Sequence, residues 1–276
     1  MALKTFKPYT KSTRGTVIVD KSVLWKGSPY KPLTRGQNFT GGRNNYGRIT
    51  SRHIGGGSKH KFRIIDFFRK KKNMKATVDR IEYDPNRTAY IALITYEDKE
   101  KAYIISPQGL KTGDTVEAGK NVEIKVGNSL ELKDIPPGTS IHNVELIPGN
   151  GGKLGRSAGS SITLSGYDGD YAILKLSSGE TRKVNSSCVG TIGTVSNPDQ
   201  KNIKIGKAGR NRWRGKRPQT RGVAMNPVDH PHGGGEGKTS GGRSPVSPWG
   251  QSAKGLKTRR PQRSDKLIIT RRKKRK

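Results

Sequence analysis

The 276-residue chain contains a single cysteine, Cys188, and only 29% of its residues are hydrophobic. One cysteine excludes an intrachain disulfide and a cysteine-rich zinc site, and we expect Cys188 to be a small buried apolar residue after a strand. No apolar run approaches the roughly 18 residues that a membrane span requires. We therefore expect no membrane association, and the apolar residues are too few for one core throughout the chain.

Acidic residues are scarce at both ends of the chain. Residues 1–75 hold 19 Lys and Arg against 2 Asp and Glu, and residues 201–276 hold 23 against 3. The centre, residues 76–200, is nearly neutral, with 13 against 16. Because the net charge of +34 is concentrated in the ends, these segments repel themselves and cannot collapse alone. The pattern predicts a polyanionic partner, and nucleic acid is the commonest one.

Glycine is abundant, with 36 residues, and it opposes long helices. Short strand patterns fill the centre of the chain and are separated by turn sequences such as residues 84–87, Asp-Pro-Asn-Arg. This pattern favours small β-barrels. The predicted strands cover residues 62–68, 76–83, 88–96, 101–106, 141–147, 162–165, 171–176 and 189–195.

The N-terminal segment interleaves its basic residues with aromatic ones, among them Phe6, Trp25 and Tyr30. Lys and Arg can lie on phosphates while flat rings stack on exposed bases. We therefore expect an irregular arm that winds between RNA helices. A solvated disordered tail is the alternative, although such tails are usually poor in aromatic residues.

Two clusters of cations are candidate RNA contacts. The first is the run Arg69, Lys70, Lys71 and Lys72, for which a solvated turn is the alternative. The second surrounds one indole, which can stack on a base or hold an arginine by cation–π attraction. Its members are Arg210, Arg212, Trp213, Arg214, Lys216 and Arg217.

Residues 228–237, VDHPHGGGEG, combine two histidines, two carboxylates and four glycines. His230 and His232 are either metal ligands or bases, plain loop residues, or donors to RNA in a loop whose glycines let the backbone approach closely. A structural zinc site needs four ligands and no cysteine is near, and an open glycine loop lacks the buried pocket that orients a catalytic base. We expect RNA contact by both histidines, with no metal, cofactor or catalytic residue.

Four motifs occur in one order: residues 82–87 (EYDPNR), 151–159 (GGKLGRSAG), 224–237 (AMNPVDHPHGGGEG) and 245–250 (PVSPWG). Together they resemble the universal large-subunit ribosomal protein two family, of bacterial type. The resemblance implies a mainly β fold, with an OB-fold barrel followed by an SH3-like barrel and long irregular basic N- and C-terminal extensions. We predict a basic extension at 1–60, an OB-fold RNA-binding domain at 61–125, an SH3-like barrel at 126–198 and a second basic extension at 199–276.

The resemblance also implies a function. It predicts a non-enzymatic, primary rRNA-binding component of the large ribosomal subunit in the cytoplasm, which supports subunit association, tRNA binding and peptide-bond formation near the peptidyl-transferase centre. The implied partners are large-subunit rRNA, small-subunit rRNA at an intersubunit bridge, nearby tRNA and other ribosomal proteins.

The resemblance assigns roles to individual residues. Arg87 and Arg156 match the family positions that contact rRNA, and we expect Lys153, in the same loop as Arg156, to contact RNA as well. His230 matches a histidine discussed in connection with peptide-bond formation, and we assign it no catalytic role. Gly155 stands where many members carry alanine, and we expect this difference to loosen the loop slightly.

Two other classes of function are compatible with parts of the sequence. Charge alone allows a DNA architectural protein, but such proteins insert apolar wedges or wrap DNA with helices, and the sequence predicts neither. An enzyme that uses His230 is the other alternative, and no pocket for it can be inferred from the residues.

Overall fold

A computed structural model describes residues 3–272 of the chain. The first two residues of the predicted N-terminal extension and the last four of the C-terminal extension lie outside this range. The described chain is mainly β, as predicted. It forms two compact units: unit 1 comprises residues 3–38, 59–208 and 266–272, and unit 2 comprises Phe39–Ser58 and Gly209–Asp265.

The helices within residues 3–272 are short, as the glycine content predicts. They are α1 (Lys11–Arg14), α2 (Ala208–Trp213) and the 3₁₀ turns Lys31–Leu33, Leu132–Asp134, Pro198–Asn202, Gly222–Ala224 and Arg263–Leu267. The strands are β1 (Leu3–Thr5), β2 (Val17–Val19), β3 (Thr34–Gly36), β4 (Lys61–Arg63), β5 (Ala76–Glu82), β6 (Ile91–Tyr96), β7 (Lys101–Ile105), β8 (Thr115–Val116), β9 (Ser129–Glu131), β10 (Ser140–His142), β11 (Ile162–Asp168), β12 (Tyr171–Lys175), β13 (Thr181–Asn185), β14 (Val189–Ile192) and β15 (Ile268–Thr270).

The first barrel-like sheet has four antiparallel strands in the order β7-β6-β5-β8. Its first hairpin turns where the sequence predicted, because the Asp84 carboxylate accepts the backbone N–H of Asn86 at 2.9 Å. Alternate residues point inward, so that Val78, Ile94 and Ile104 are buried in one apolar cluster. The predicted strands 76–83 and 101–106 are confirmed to within one residue, whereas β6 begins three residues later than predicted.

The second barrel-like sheet has seven strands in the order β15-β13-β12-β11-β10-β14-β9. Leu132, Ile141, Leu164 and Leu174 fill its core together with Cys188, which is fully buried as predicted. Burial raises the pKa of the Cys188 thiol to about 12, so this residue is a neutral packing group.

Three predicted strands end early for local reasons. The strand predicted at 141–147 stops at His142, because Asn143 has a left-handed φ of 49°. The strand predicted at 189–195 stops before Gly193, whose φ is 101°. The strand predicted at 62–68 is reduced to β4, because the Asp66 carboxylate accepts three successive backbone N–H groups and turns the chain. The strand β13 was not predicted.

The two barrels of unit 1 pack against each other. A third apolar cluster joins residues of both, namely Ile65, Ile91, Leu93, Tyr103 and Val195. The backbone N–H of Tyr90 donates to the Ser196 hydroxyl at 3.1 Å, and the Asn197 amide donates to the Thr88 carbonyl at 2.7 Å. The ring of Phe67 packs against this cluster. The interface between the barrels therefore fixes the position of Phe67.

Candidate nucleic-acid interface

Two arginines from different barrels meet on one aromatic ring. The guanidinium carbon of Arg156 lies 4.6 Å from the centroid of Phe67, and that of Arg87 lies 5.7 Å from the same centroid. Both distances are within the range of cation–π attraction. Arg87 and Arg156 are 69 positions apart in the sequence, so the packing of the barrels brings them together. We call Phe67, Arg87 and Arg156 the arginine pair site.

Arg87 is held from its own turn. Its Nε donates to the Asp84 carboxylate at 2.6 Å, and the Asp84 side chain is fully buried. Asp84 also accepts the Asn86 N–H, which closes the turn between β5 and β6. The ion pair fixes the guanidinium on one edge, and the remaining N–H groups of Arg87 are left to bind a further acceptor.

Arg156 is exposed on the loop 151–159. The Gly152 N–H donates to the Phe67 carbonyl at 2.9 Å, and Arg156 Nη1 donates to the Gly152 carbonyl at 3.3 Å. These bonds tie the loop to the residue that carries the shared ring. Lys153 is exposed on the same loop and adds positive charge beside the pair.

The loop requires glycine at position 155. Gly155 has a φ of 63°, and a Cβ there would lie 3.1 Å from Ile162 Cδ1 and 3.3 Å from His142 Cα. Left-handed backbone is costly for other residues. The glycine therefore suits this conformation, which gives no support to the expectation that it loosens the loop.

The predicted cation run after β4 divides into different environments. Lys70 and Lys72 are exposed. Lys71 forms ion pairs with Asp98 and Glu100, whose hydrogen bonds raise the pKa of Lys71, Asp98 having the larger effect. Lys71 therefore keeps its positive charge, but two carboxylates of the protein compensate it.

Among the four cations of the run, Arg69 lies in the environment that fits the predicted RNA contact least. It is only 4% exposed, and its guanidinium donates to the carbonyls of Gly127 and Glu117 at 3.2 and 3.4 Å. Burial lowers the pKa of Arg69. The turn made by Asp66 directs this residue inward. Arg69 is therefore not part of the exposed cationic surface, and it does not belong to the arginine pair site.

In unit 2, α2 and the residues after it carry the second predicted cluster. Trp213, Arg214, Lys216 and Arg217 are exposed, and Arg210 and Arg212 are half-buried. The cluster is bound to the glycine segment 55–57: Gly55 N–H donates to the Gly215 carbonyl at 2.8 Å, and Ser58 N–H donates to the Trp213 carbonyl at 2.9 Å. Two segments distant in sequence thus present one cationic surface.

The histidine loop holds its two rings close together, with centroids 5.2 Å apart. Val246 N–H donates to His232 Nε2 at 3.0 Å, so Nε2 is unprotonated and Nδ1 carries the proton that it donates to the Gly241 carbonyl. Both nitrogens of His232 are therefore engaged within its own loop. This geometry differs from the expectation that His232 donates to RNA, and it also leaves His232 unavailable as a metal ligand.

His230 is 7% exposed. Its Nδ1 accepts the N–H of His232 at 3.0 Å, so a neutral ring carries its proton on Nε2. A Cβ at Gly222 would lie 2.5 Å from the His230 ring, so the ring packs on bare backbone. Among residues 3–272, no group of three or more His, Cys, Asp or Glu side chains is arranged to hold a metal ion. None of the helices in that range is long and apolar enough to cross a membrane.

Comparison with known proteins identifies both halves of the chain. Residues 30–118 match the family model described as Ribosomal Proteins L2, RNA binding N-terminal domain, and residues 125–250 match that of the Ribosomal Proteins L2, C-terminal domain. The chain belongs to the ribosomal protein L2 family. The expected resemblance is thereby confirmed.

Full-length relatives are similar over the whole chain. The protein named large ribosomal subunit protein uL2 from Pelagibacter ubique is 64% identical over 277 residues, which cover 100% of this chain and 99% of the relative. The proteins of the same name from Granulibacter bethesdensis and Rickettsia bellii are 61% and 62% identical over 274 and 273 residues. These matches cover 99% of this chain, and 99% and 100% of the two relatives.

Sequence reasoning missed two aromatic residues of the candidate interface. Phe67 lies in an apolar run that predicts only a buried strand. The second is Trp249: the guanidinium carbon of Arg52 lies 4.9 Å from the centroid of the Trp249 ring. In both cases the partner cations are remote in sequence, so no local pattern indicated these contacts.

Proposed function

We propose that this protein is a structural component of the large ribosomal subunit that binds rRNA directly, without enzymatic activity of its own. The observation that carries the proposal is the arginine pair site: two guanidinium groups from different barrels share the Phe67 ring at 4.6 and 5.7 Å. A rigid pair of planar cations suits two phosphates or a phosphate and a base at a defined spacing. The family of the chain and the name of its relatives support the same function.

The extended, basic parts of the chain supply the second part of the proposal. They bind the rRNA backbone by charge, with contacts that carry little sequence information. We propose that Lys70, Lys72 and Lys153 take part on unit 1, and that Arg214, Lys216 and Arg217 take part on unit 2, because all six are exposed. Trp213 is 56% exposed and offers a face on which a base can stack.

Binding of an rRNA fragment tests the arginine pair site. Arg87→Ala and Arg156→Ala each lower the affinity by about tenfold, because a specific phosphate or base contact is worth about 1–3 kcal/mol. Arg87→Lys and Arg156→Lys retain the charge but lose the planar fork, so they fall between wild type and alanine. Lys175→Ala, which removes an exposed lysine from β12, is the matched control. Wild-type affinity in both alanine variants removes these residues from the interface.

Two further assays separate the alternative functions. Competition between duplex DNA and folded rRNA tests an architectural DNA protein, for which DNA would compete at least as well. Replacement of His230 and His232 together by alanine tests an enzyme, because it would abolish turnover in an assay that contains only the protein. We expect rRNA to win the competition and no turnover before or after the replacement.

The finer roles in the ribosome belong to the same proposal. We propose that the protein supports subunit association through small-subunit rRNA at an intersubunit bridge, and that it supports tRNA binding near the peptidyl-transferase centre in the cytoplasmic ribosome. The support is the match of residues 224–237 and 245–250 to the family pattern, together with the exposed cations of unit 2. Sucrose-gradient analysis of large subunits that carry Arg214→Ala and Arg217→Ala measures association; unchanged association at low magnesium contradicts a role for these two residues.

A further inference from the structure

A second concave site lies in unit 1, apart from the three residues of the arginine pair site. It is a cavity of about 190 Å³. Its apolar lining comes from both barrels, since Phe68 and Ala118 lie on the first and Leu130 and Val189 lie in strands of the second. Phe68 lines the cavity, and its large apolar ring is 47% exposed. The cavity thus offers a flat aromatic wall to a ligand.

Arg69 gives the cavity a buried donor. It lines the cavity and is 4% exposed. Its two terminal nitrogens donate to main-chain carbonyls, but its Nε is buried and has no hydrogen-bond partner among the described residues. A buried N–H without an acceptor is costly. A ligand atom that accepts a hydrogen bond there would remove that cost.

The lining of the cavity contains charged groups of both signs. Lys72 and Lys120 are exposed cations of its lining. Glu131 also lines it and has a side chain only 17% exposed. The hydrogen bond from Lys133 and the charge of the same lysine, followed by the charges of Lys120 and Lys72, hold the pKa of Glu131 below its ordinary value. The ionised carboxylate favours N–H donors and repels an anion, whereas the exposed lysines attract one.

We propose that this cavity binds one unpaired nucleotide of rRNA, with the base against Phe68 and the phosphate between Lys72 and Lys120. A base has a flat apolar face for the aromatic wall, and a polar edge with acceptors for Arg69 and N–H donors for Glu131. Single-stranded RNA is commonly recognised by such stacking of unstacked bases on aromatic rings. The inference rests on the proposed function, and it adds a nucleotide-binding position that the arginine pair site does not provide.

The full-length protein in moderate salt allows a direct test with nucleoside monophosphates as probes. Ligand-observed saturation-transfer NMR measures contact with each of the four, and inorganic phosphate serves as the probe for charge alone. We expect at least one monophosphate to bind and inorganic phosphate to be unable to displace it. Phe68→Ala lowers the affinity by about tenfold, and Phe68→Tyr restores it, because stacking depends on the ring.

Matched variants separate the cavity from general electrostatics. Lys72→Ala with Lys120→Ala weakens the monophosphate more than the corresponding nucleoside, whereas Lys175→Ala leaves both unchanged. Because Phe68 is half exposed, Phe68→Ala is expected to fold, and thermal unfolding checks this; Phe68→Leu replaces it if the alanine variant is unstable.

Several results overturn the inference. They are absence of saturation transfer, equal transfer in Phe68→Ala, complete displacement by inorganic phosphate, or crosslinking of position 68 in assembled subunits to a protein instead of a nucleotide. The double variant Arg87→Ala with Arg156→Ala keeps failure of the two proposals distinguishable. It should lose affinity for the rRNA fragment yet retain monophosphate binding. If it loses rRNA affinity while the wild-type protein binds no monophosphate, the proposed function stands and the cavity site is removed.

Discussion

Replacement of Phe67 by leucine tests whether the shared ring positions the two arginines. Leucine preserves the apolar packing against the cluster between the barrels, but it removes the aromatic face on which both guanidinium groups rest. Neither arginine is altered and the net charge is unchanged. Any loss of RNA affinity therefore reports on the geometry of the pair.

The expected magnitude follows from the two contacts. A cation–π contact contributes about 0.5–1 kcal/mol when exposed and about 2 kcal/mol when desolvated, within about 6 Å. The Arg156 contact at 4.6 Å is the closer one, and the Arg87 contact at 5.7 Å is near the limit. We expect Phe67→Leu to lower the free energy of unfolding by about 1–2 kcal/mol. Because each released arginine must be ordered again on binding, we expect rRNA affinity to fall by about 5- to 30-fold.

Filter binding or calorimetry with an rRNA fragment measures the effect over a range of salt concentrations. The slope of log K against log salt should remain that of the wild type, because the number of phosphate contacts is unchanged. Phe67→Tyr should bind as wild type, and Phe62→Leu, which removes a partly exposed ring from β4, should have little effect. Wild-type affinity of Phe67→Leu, or a changed salt slope, would refute a positioning role for the ring.

Three further predictions concern pH, backbone and salt. Burial lowers the pKa of His142 from 6.5 to about 4, so the stability of the fold with a neutral His142 is fully present above pH 6.5. As the pH falls toward 4, the unfolded chain takes up a proton that the folded chain does not, and the free energy of unfolding decreases by about 3 kcal/mol. Urea unfolding of wild type and His142→Gln at both ends of this window measures it, and identical pH dependence contradicts it. Gly155→Ala should lower the melting temperature more than Gly169→Ala, because both have positive φ but only position 155 lacks space for a Cβ; equal losses would leave the contacts at Gly155 without effect. If about ten Lys and Arg contact phosphates, log K for rRNA should fall with log salt at a slope of roughly −7 to −9, and a slope near −2 would exclude binding by the basic extensions.

Local chemistry determined which parts of the fold the sequence could predict. The hairpin at Asp84 depends on residues that are neighbours in the chain, and it was correctly placed. The early end of β10 at His142 depends on the left-handed backbone of Asn143. Many asparagines occupy ordinary backbone conformations, so the residue type alone could not reveal it.

The candidate site was less predictable than the fold. Arg87 and Arg156 were identified through the family resemblance, and no spacing indicates that they share the ring of Phe67. The burial of Arg69 follows from the turn at Asp66, three residues earlier, whereas a run of four cations predicts RNA contact or a solvated turn. The tautomer of His232 depends on the backbone N–H of Val246, 14 positions away, which no local pattern contains.

Strand β15 has a consequence for how the protein is made. It covers β13 by pairing Thr181 with Thr270 and Arg182 with Ile268. During synthesis β13 therefore emerges long before its neighbour and presents unpaired backbone groups to other chains, which is a recognised route to aggregation. The second barrel is completed only after residue 270 has left the translating ribosome. Nascent chains that stop before that point therefore expose the unpaired edge of β13, which is covered in the full-length protein.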